Sequence, residues 1–248
     1  MTTAQYQGVG NGCSNGGNSF TNFSSGVLTT PLTINGVAIP AAATTPTADP
    51  NPPGVPSFTN IQIEQSPILN GGLAFQTPFV PACDQNTYAP NAWCIQSKNQ
   101  ILVSYLSYTV SNAGGITFES LQASINNHAN TTTDVVFREF CLGVANLAWS
   151  ASANGSVACT GAGGIYHVLQ VGQVQGLFQH LTENQALTFA STTNISVRDV
   201  VFLQTFNGEG SWADVTSIID TPEPTTISLV GFALVGLGCL RLRRRKRA

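Results

Sequence analysis

Charge is what this sequence has least of. Lys, Arg, Asp and Glu make up 8% of its 248 residues, against about 25% in an ordinary soluble domain. Six of the nine basic residues lie in the last eight positions, so residues 1–240 hold Lys98, Arg138 and Arg198 against twelve acidic residues, a net charge of −9. Three scattered cations cannot form a basic patch, which excludes a nucleic-acid surface. Catalytic spacings are missing too. There is no Gly-x-Ser-x-Gly elbow and no His-Glu-x-x-His. No Cys-x-x-Cys occurs and no cysteine stands at ligand spacing from a histidine, so neither metal nor cofactor is expected. The opening Met1-Thr2-Thr3-Ala4-Gln5 has no basic n-region and no apolar h-region. For an exported chain that implies a true start further upstream.

The tail is where the pattern sharpens. Thr221-Pro222-Glu223-Pro224 precedes the sixteen uncharged residues from Thr225 to Leu240, and these precede Arg241, Arg243, Arg244, Arg245, Lys246 and Arg247. As a helix, residues 225–240 reach roughly 24 Å. That is short of the usual span of about 20 residues, and flanking arginines can snorkel to make up the length. A buried core helix would not abut six basic residues. The positive-inside rule holds this basic end in the cytoplasm and residues 1–220 outside. The two prolines keep 221–224 extended, as a protease substrate must be.

Motif, apolar run and basic end resemble, in that order, the PEP-CTERM sorting signal of exported bacterial proteins, with Pro222, Glu223 and Pro224 as the motif. The resemblance implies recognition by an exosortase, a membrane cysteine protease that cleaves near the motif. It also implies transient residence in the inner membrane and delivery to the cell surface or extracellular matrix, with exopolysaccharide as a candidate associate. The body is similar to uncharacterised members of the same group at Cys13-Ser14-Asn15-Gly16-Gly17 with Phe20 and Phe23, at Leu106-Ser107-Tyr108-Thr109-Val110, and at Val197-Arg198-Asp199-Val200. That likeness implies location and fold, with no reaction attached.

Residues 1–220 read as one extracellular all-β domain, an antiparallel β-sandwich or jelly roll, followed by the single transmembrane helix of the tail. Ser19–Phe23, Leu32–Val37, Asn60–Glu64, Ile101–Val110, Ile116–Ile125, Asp134–Leu142, Ile165–Val174, Ala186–Ala190, Asn194–Phe206 and Trp212–Ile219 carry strand composition. Asn112-Ala113-Gly114-Gly115 reads as a turn between two of them. Val135–Leu147 is ambiguous with a helix. Residues 40–58 hold six prolines and read as a loop.

Cys239 lies in the apolar run, which leaves five cysteines for an oxidising compartment. Cys83 with Cys94 encloses a short loop, and Cys141 with Cys159 flanks Trp149. Each would stabilise by about 3 kcal/mol as a staple. Cys13 is left over, and other pairings remain open.

His128, His167 and His180 show no partner spacing. Glu119, Glu139 and Asp199 are the carboxylates that a glycan-acting hydrolase would need to bring together. Glu139 reads more simply as a partner of Arg138 across a sheet, and Asp199 stands beside Arg198. Gly161-Ala162-Gly163-Gly164 lacks the Lys-Ser/Thr of a phosphate loop and reads as a turn. The expectation is a non-enzymatic surface or matrix protein. A carbohydrate-binding module is the alternative, with Trp93, Trp149, Trp212, Tyr105 and Tyr108 as candidate aromatics.

Overall fold

The structure is a computed structural model that describes residues 12–28, 30–41, 62–65, 71–76, 93–95, 99–127, 132–144, 149–151, 157–159, 164–176, 180–205, 213–220 and 223–224. Among them every regular element is a strand: β1 (Gly12–Asn15), β2 (Asn18–Val27), β3 (Leu32–Ile34), β4 (Val37–Ile39), β5 (Gln62–Gln65), β6 (Leu73–Gln76), β7 (Trp93–Ile95), β8 (Ile101–Asn127), β9 (Thr132–Leu142), β10 (Trp149–Ala151), β11 (Val157–Cys159), β12 (Ile165–Gly176), β13 (His180–Thr205), β14 (Ala213–Asp220) and β15 (Glu223–Pro224). All pairings are antiparallel. No described helix is long and apolar enough to cross a membrane. Residues 225–248, the tail's apolar run and basic end, lie outside the described residues.

Two long strands organise the sandwich. β8 and β13 pair with each other along their whole length, and the ladder slips between Thr188 and Asn194. On one side of the slip, Ile101–Ser111 and Asn194–Gln204 join β2, β9 and β12. On the other side, β8 carries β14, which carries β6 and β7. Apolar residues from both halves share one buried cluster, including Phe20, Phe75, Trp93, Tyr108, Leu121, Phe140, Val197 and Ile218. The sheet therefore folds over on itself, with two strands switching layers at the bend.

The expected turn at 112–115 is instead this bend, inside a continuous β8. Asn112 Oδ1 accepts from the Gly114 N–H at 2.8 Å, and Asn112 Nδ2 donates to Asn18 Oδ1 at 2.7 Å. The side chain supplies bonds that a hairpin would have taken from the backbone. The gap expected between residues 190 and 194 likewise lies inside β13.

A second cluster, with Leu28, Ile34, Ile39, Val103, Val135, Phe137, Val200 and Phe202, covers the opposite face of the first half. β3 and β4 supply its lid. They form a hairpin on Asn35 (φ 50°) and Gly36 (φ 79°), a primed two-residue turn that needs left-handed backbone at both positions. Because both faces are covered, Val135–Leu142 and Ile195–Leu203 are buried at every position. That explains why β9 lacks the alternation of a half-exposed strand and looked partly helical.

Candidate functional site

Three candidate features fall on described residues: the carboxylates, the aromatics and the start of the sorting segment.

The carboxylates come first. β9 and β13 align Arg138 opposite Asp199 and Glu139 opposite Arg198. Successive side chains on a strand point to opposite faces, so the sequence neighbours Arg138 and Glu139 cannot pair, and the partner expected for Glu139 is corrected from Arg138 to Arg198. Arg138 points into the sandwich core. Its Nε and Nη2 donate to Asp199 Oδ1 and Oδ2 at 2.7 and 2.9 Å, and its Nη1 reaches Glu119 Oε1 at 3.3 Å and the Ser120 carbonyl at 2.6 Å. All three side chains have 0% exposure. The fork geometry orients both carboxylates, and Arg138 thereby ties β9 to the far half of β8. Glu119 and Asp199 do converge, as a hydrolase would require, but on a buried guanidinium without solvent contact.

On the opposite face Glu139 accepts from Arg198 Nε at 2.7 Å and from the Tyr166 hydroxyl at 2.8 Å. Burial lifts the Glu139 carboxyl above its ordinary 4.5, and Arg198 and Tyr166 offset only part of that rise. Burial and the facing Glu139 charge both push the Tyr166 phenol up, so it stays protonated and donates.

The aromatics are largely structural. Trp93 is 1% exposed, and its Nε1 donates to Ser104 Oγ at 2.8 Å across the sandwich. Tyr108 is fully buried among Phe20, Phe23 and Phe75. Tyr105 is half-buried against the second cluster. Neither Trp93 nor Tyr108 can stack on a ligand. Trp212 and the side chain of Trp149 lie outside the described residues. His167, half-buried on β12, stacks against Phe140 and Phe189, and burial lowers its pKa. His128 and the side chain of His180 are not among the described residues, nor is the 161–163 stretch.

Cys141 and Cys159 are joined, with Cα atoms 5.7 Å apart. The bond ties the β10–β11 hairpin to the end of β9. Cys94 is also disulfide-bonded, and Cys83 lies outside the described residues. Cys13 is a free thiol, and burial pushes its pKa up to about 11. Among the described residues no His, Cys, Asp and Glu group could hold a metal.

The start of the sorting segment was expected to be extended, but its partner strand was not foreseen. Glu223 and Pro224 form an edge strand, with Glu223 opposite Phe118 and Pro224 opposite Ile116. Pro222 lies outside the described residues. The extended conformation was legible from the prolines; the partner strand, more than a hundred residues earlier, carried no sequence signal.

Comparison with known proteins identifies the segment and little else. Residues 220–246 match the family described as PEP-CTERM protein-sorting motif, so the chain carries that signal. No curated protein matches the chain. Among solved structures, TmCBM61 in complex with β-1,4-galactotriose is similar at 10% identity and TM-score 0.29, over 66% of this chain and 83% of that one. The enzymatically active domain of bacteriophage CBA120 tailspike protein 4 is similar at 9% identity and TM-score 0.25, over 66% of this chain and 18% of the tailspike chain.

Proposed function

We propose that this is a non-enzymatic exported protein, held in the inner membrane as a precursor through residues 225–240 and released by an exosortase acting near Pro222-Glu223-Pro224. The released body, residues 1–220, works at the cell surface or in the extracellular matrix. The observation that carries this reading is the match over residues 220–246, where motif, apolar run and basic end stand in functional order. The body's chemistry agrees with it. The carboxylates nominated for catalysis are buried against arginines, and the five cysteines outside the tail include a formed bridge suited to an oxidising compartment. Deleting Pro222–Pro224 in the producing cell tests the reading. The protein is expected to remain in the membrane fraction, and normal release of the deletion variant would sink the proposal.

A carbohydrate-binding body is the second reading. One observation favours it: among the described side chains of β13, the exposed ones, Gln185, Ala186, Thr188, Ala190, Ser191 and Thr193, are uncharged, and half of them carry hydroxyls. Such a strip suits a neutral hydrogen-bonding partner. Co-sedimentation of the released body with the organism's own exopolysaccharide decides between the two. Saturable binding supports the second reading, and its absence leaves the first alone.

A further inference from the structure

The sorting motif does not simply trail from the body. β14 runs antiparallel along β8 with Asp220 opposite Leu121. Glu223 then stands opposite Phe118. Both strands have advanced three residues between these two pairs, so Glu223 stands in the register that β14 sets. The register slips by one residue only at Pro224, opposite Ile116. The other side of β8 is already taken there, by Thr188 at Phe118 and Thr192 at Ile116. On the free side, β2 pairs no further than Ser111 and β14 no further than Leu121. Glu223 and Pro224 occupy the stretch of β8 edge that these two strands leave open.

The bend of β8 that leads into that stretch is tied to its neighbours by side-chain bonds. Asn18 receives a bond from Asn112 and donates from Nδ2 to the Gly71 carbonyl at 2.9 Å, while Asn15 Nδ2 donates to the Gly72 carbonyl at 2.8 Å. These bonds join the β1–β2 turn, the bend of β8 and the entry to β6, four residues before Ile116 along β8. The hold on the motif itself is small. Of Pro222, Glu223 and Pro224 only Glu223 has an N–H to donate, and proline is tolerated in a sheet only at such an edge. β14, without proline, pairs seven residues with β8.

We propose that the edge of β8 at Ile116–Phe118 is a β-strand docking site for the protein's own sorting motif, and that the processing protease acts only on the undocked tail. This rests on the proposed function, in which the motif is processed. A protease reads an extended peptide through its backbone groups. A motif paired with β8 has part of that backbone engaged, so processing follows the undocked fraction.

The test inserts a flexible Gly/Ser spacer of about five residues between Asp220 and Thr221 in the full chain, leaving the motif and β14 intact. Amide exchange at Ile116–Phe118 is measured by mass spectrometry, with Leu102–Val110 of the same molecule as the control for folding. Initial processing in the producing cell is followed by pulse–chase. Docking predicts that the spacer speeds exchange at 116–118 and processing by about tenfold each, the effect of one or two hydrogen bonds, with the control unchanged. Unchanged exchange at 116–118 overturns docking while leaving the sorting proposal standing. Faster exchange with unchanged processing overturns the link to the protease. Release that survives deletion of Pro222–Pro224 is the separate result that defeats the underlying function.

Discussion

The two arginines of the body and the five of the tail use one side chain in opposite ways. Arg138 and Arg198 are buried and face carboxylates on the neighbouring strand. Arg241, Arg243, Arg244, Arg245 and Arg247 stand in a stretch, residues 224–248, with no acidic residue at all. A buried guanidinium must find its counter-charge inside the fold, because desolvation is otherwise prohibitive. In the proposed function this cluster of like charges finds its partner outside the chain, in lipid headgroups on the cytoplasmic side of a membrane. Structure and address are thus written in the same residue, and substitutions should separate them.

The largest effect on folding is expected at Arg138. Arg138→Ala strands Glu119 and Asp199 in the core and should destabilise the released body by about 3–5 kcal/mol, read as a large drop in denaturation midpoint. Arg138→Met with Asp199→Leu, which removes both the guanidinium and one carboxylate, should recover part of that loss. A midpoint that does not move in Arg138→Ala would mean that the network carries no structural weight.

A smaller, pH-dependent effect is expected on the opposite face. Glu139 holds its proton more tightly in the folded protein than its ordinary 4.5 allows. The folded state therefore binds more protons than the unfolded one just above that pH, and the Glu139 contribution to stability falls as pH rises until the group has ionised. Glu139→Gln removes this slope. The melting temperature of the wild type relative to the variant should decline from pH 4.5 upward, whereas a constant difference would contradict the burial argument.

The smallest effect on folding, with the clearest effect on location, is expected in the tail. Replacing Arg243, Arg244 and Arg245 with Ser should leave the melting temperature of the body unchanged and impair retention of the precursor with its C-terminus inside. Protease protection of that end in spheroplasts reports the topology. Intact orientation in the triple variant would remove the role given to these charges.

How much of this could be read beforehand depends on the distance over which each signal acts. The all-β class was legible because β-branched and aromatic residues recur in short runs, as in Ile101–Val110. The sorting segment was legible because its three parts are neighbours in the chain. The Asn35-Gly36 turn was within reach but was read as part of one strand. At Asn112–Gly115 the turn composition was real, yet the Asn112 side chain bonds to Gly114 and Asn18 and converts a turn into a bend. The ion network joins residues 61 and 19 positions apart, and register over that distance has no local trace. One clue was present: Arg138-Glu139 and Arg198-Asp199 are matched charged dipeptides inside otherwise apolar strands, and antiparallel pairing sets each arginine against the other's carboxylate. Docking of Glu223 on Phe118 left no comparable clue, since the edge it fills exists only once β2 and β14 have paired.

The central claim is that residues 220–246 direct membrane residence and release, and the most direct measurement is the intact mass of the protein recovered from outside the producing cells. The account predicts a species that ends close to Pro222–Pro224 and lacks Ile227–Ala248. Recovery of a chain that still extends through the basic end to Ala248 would contradict it.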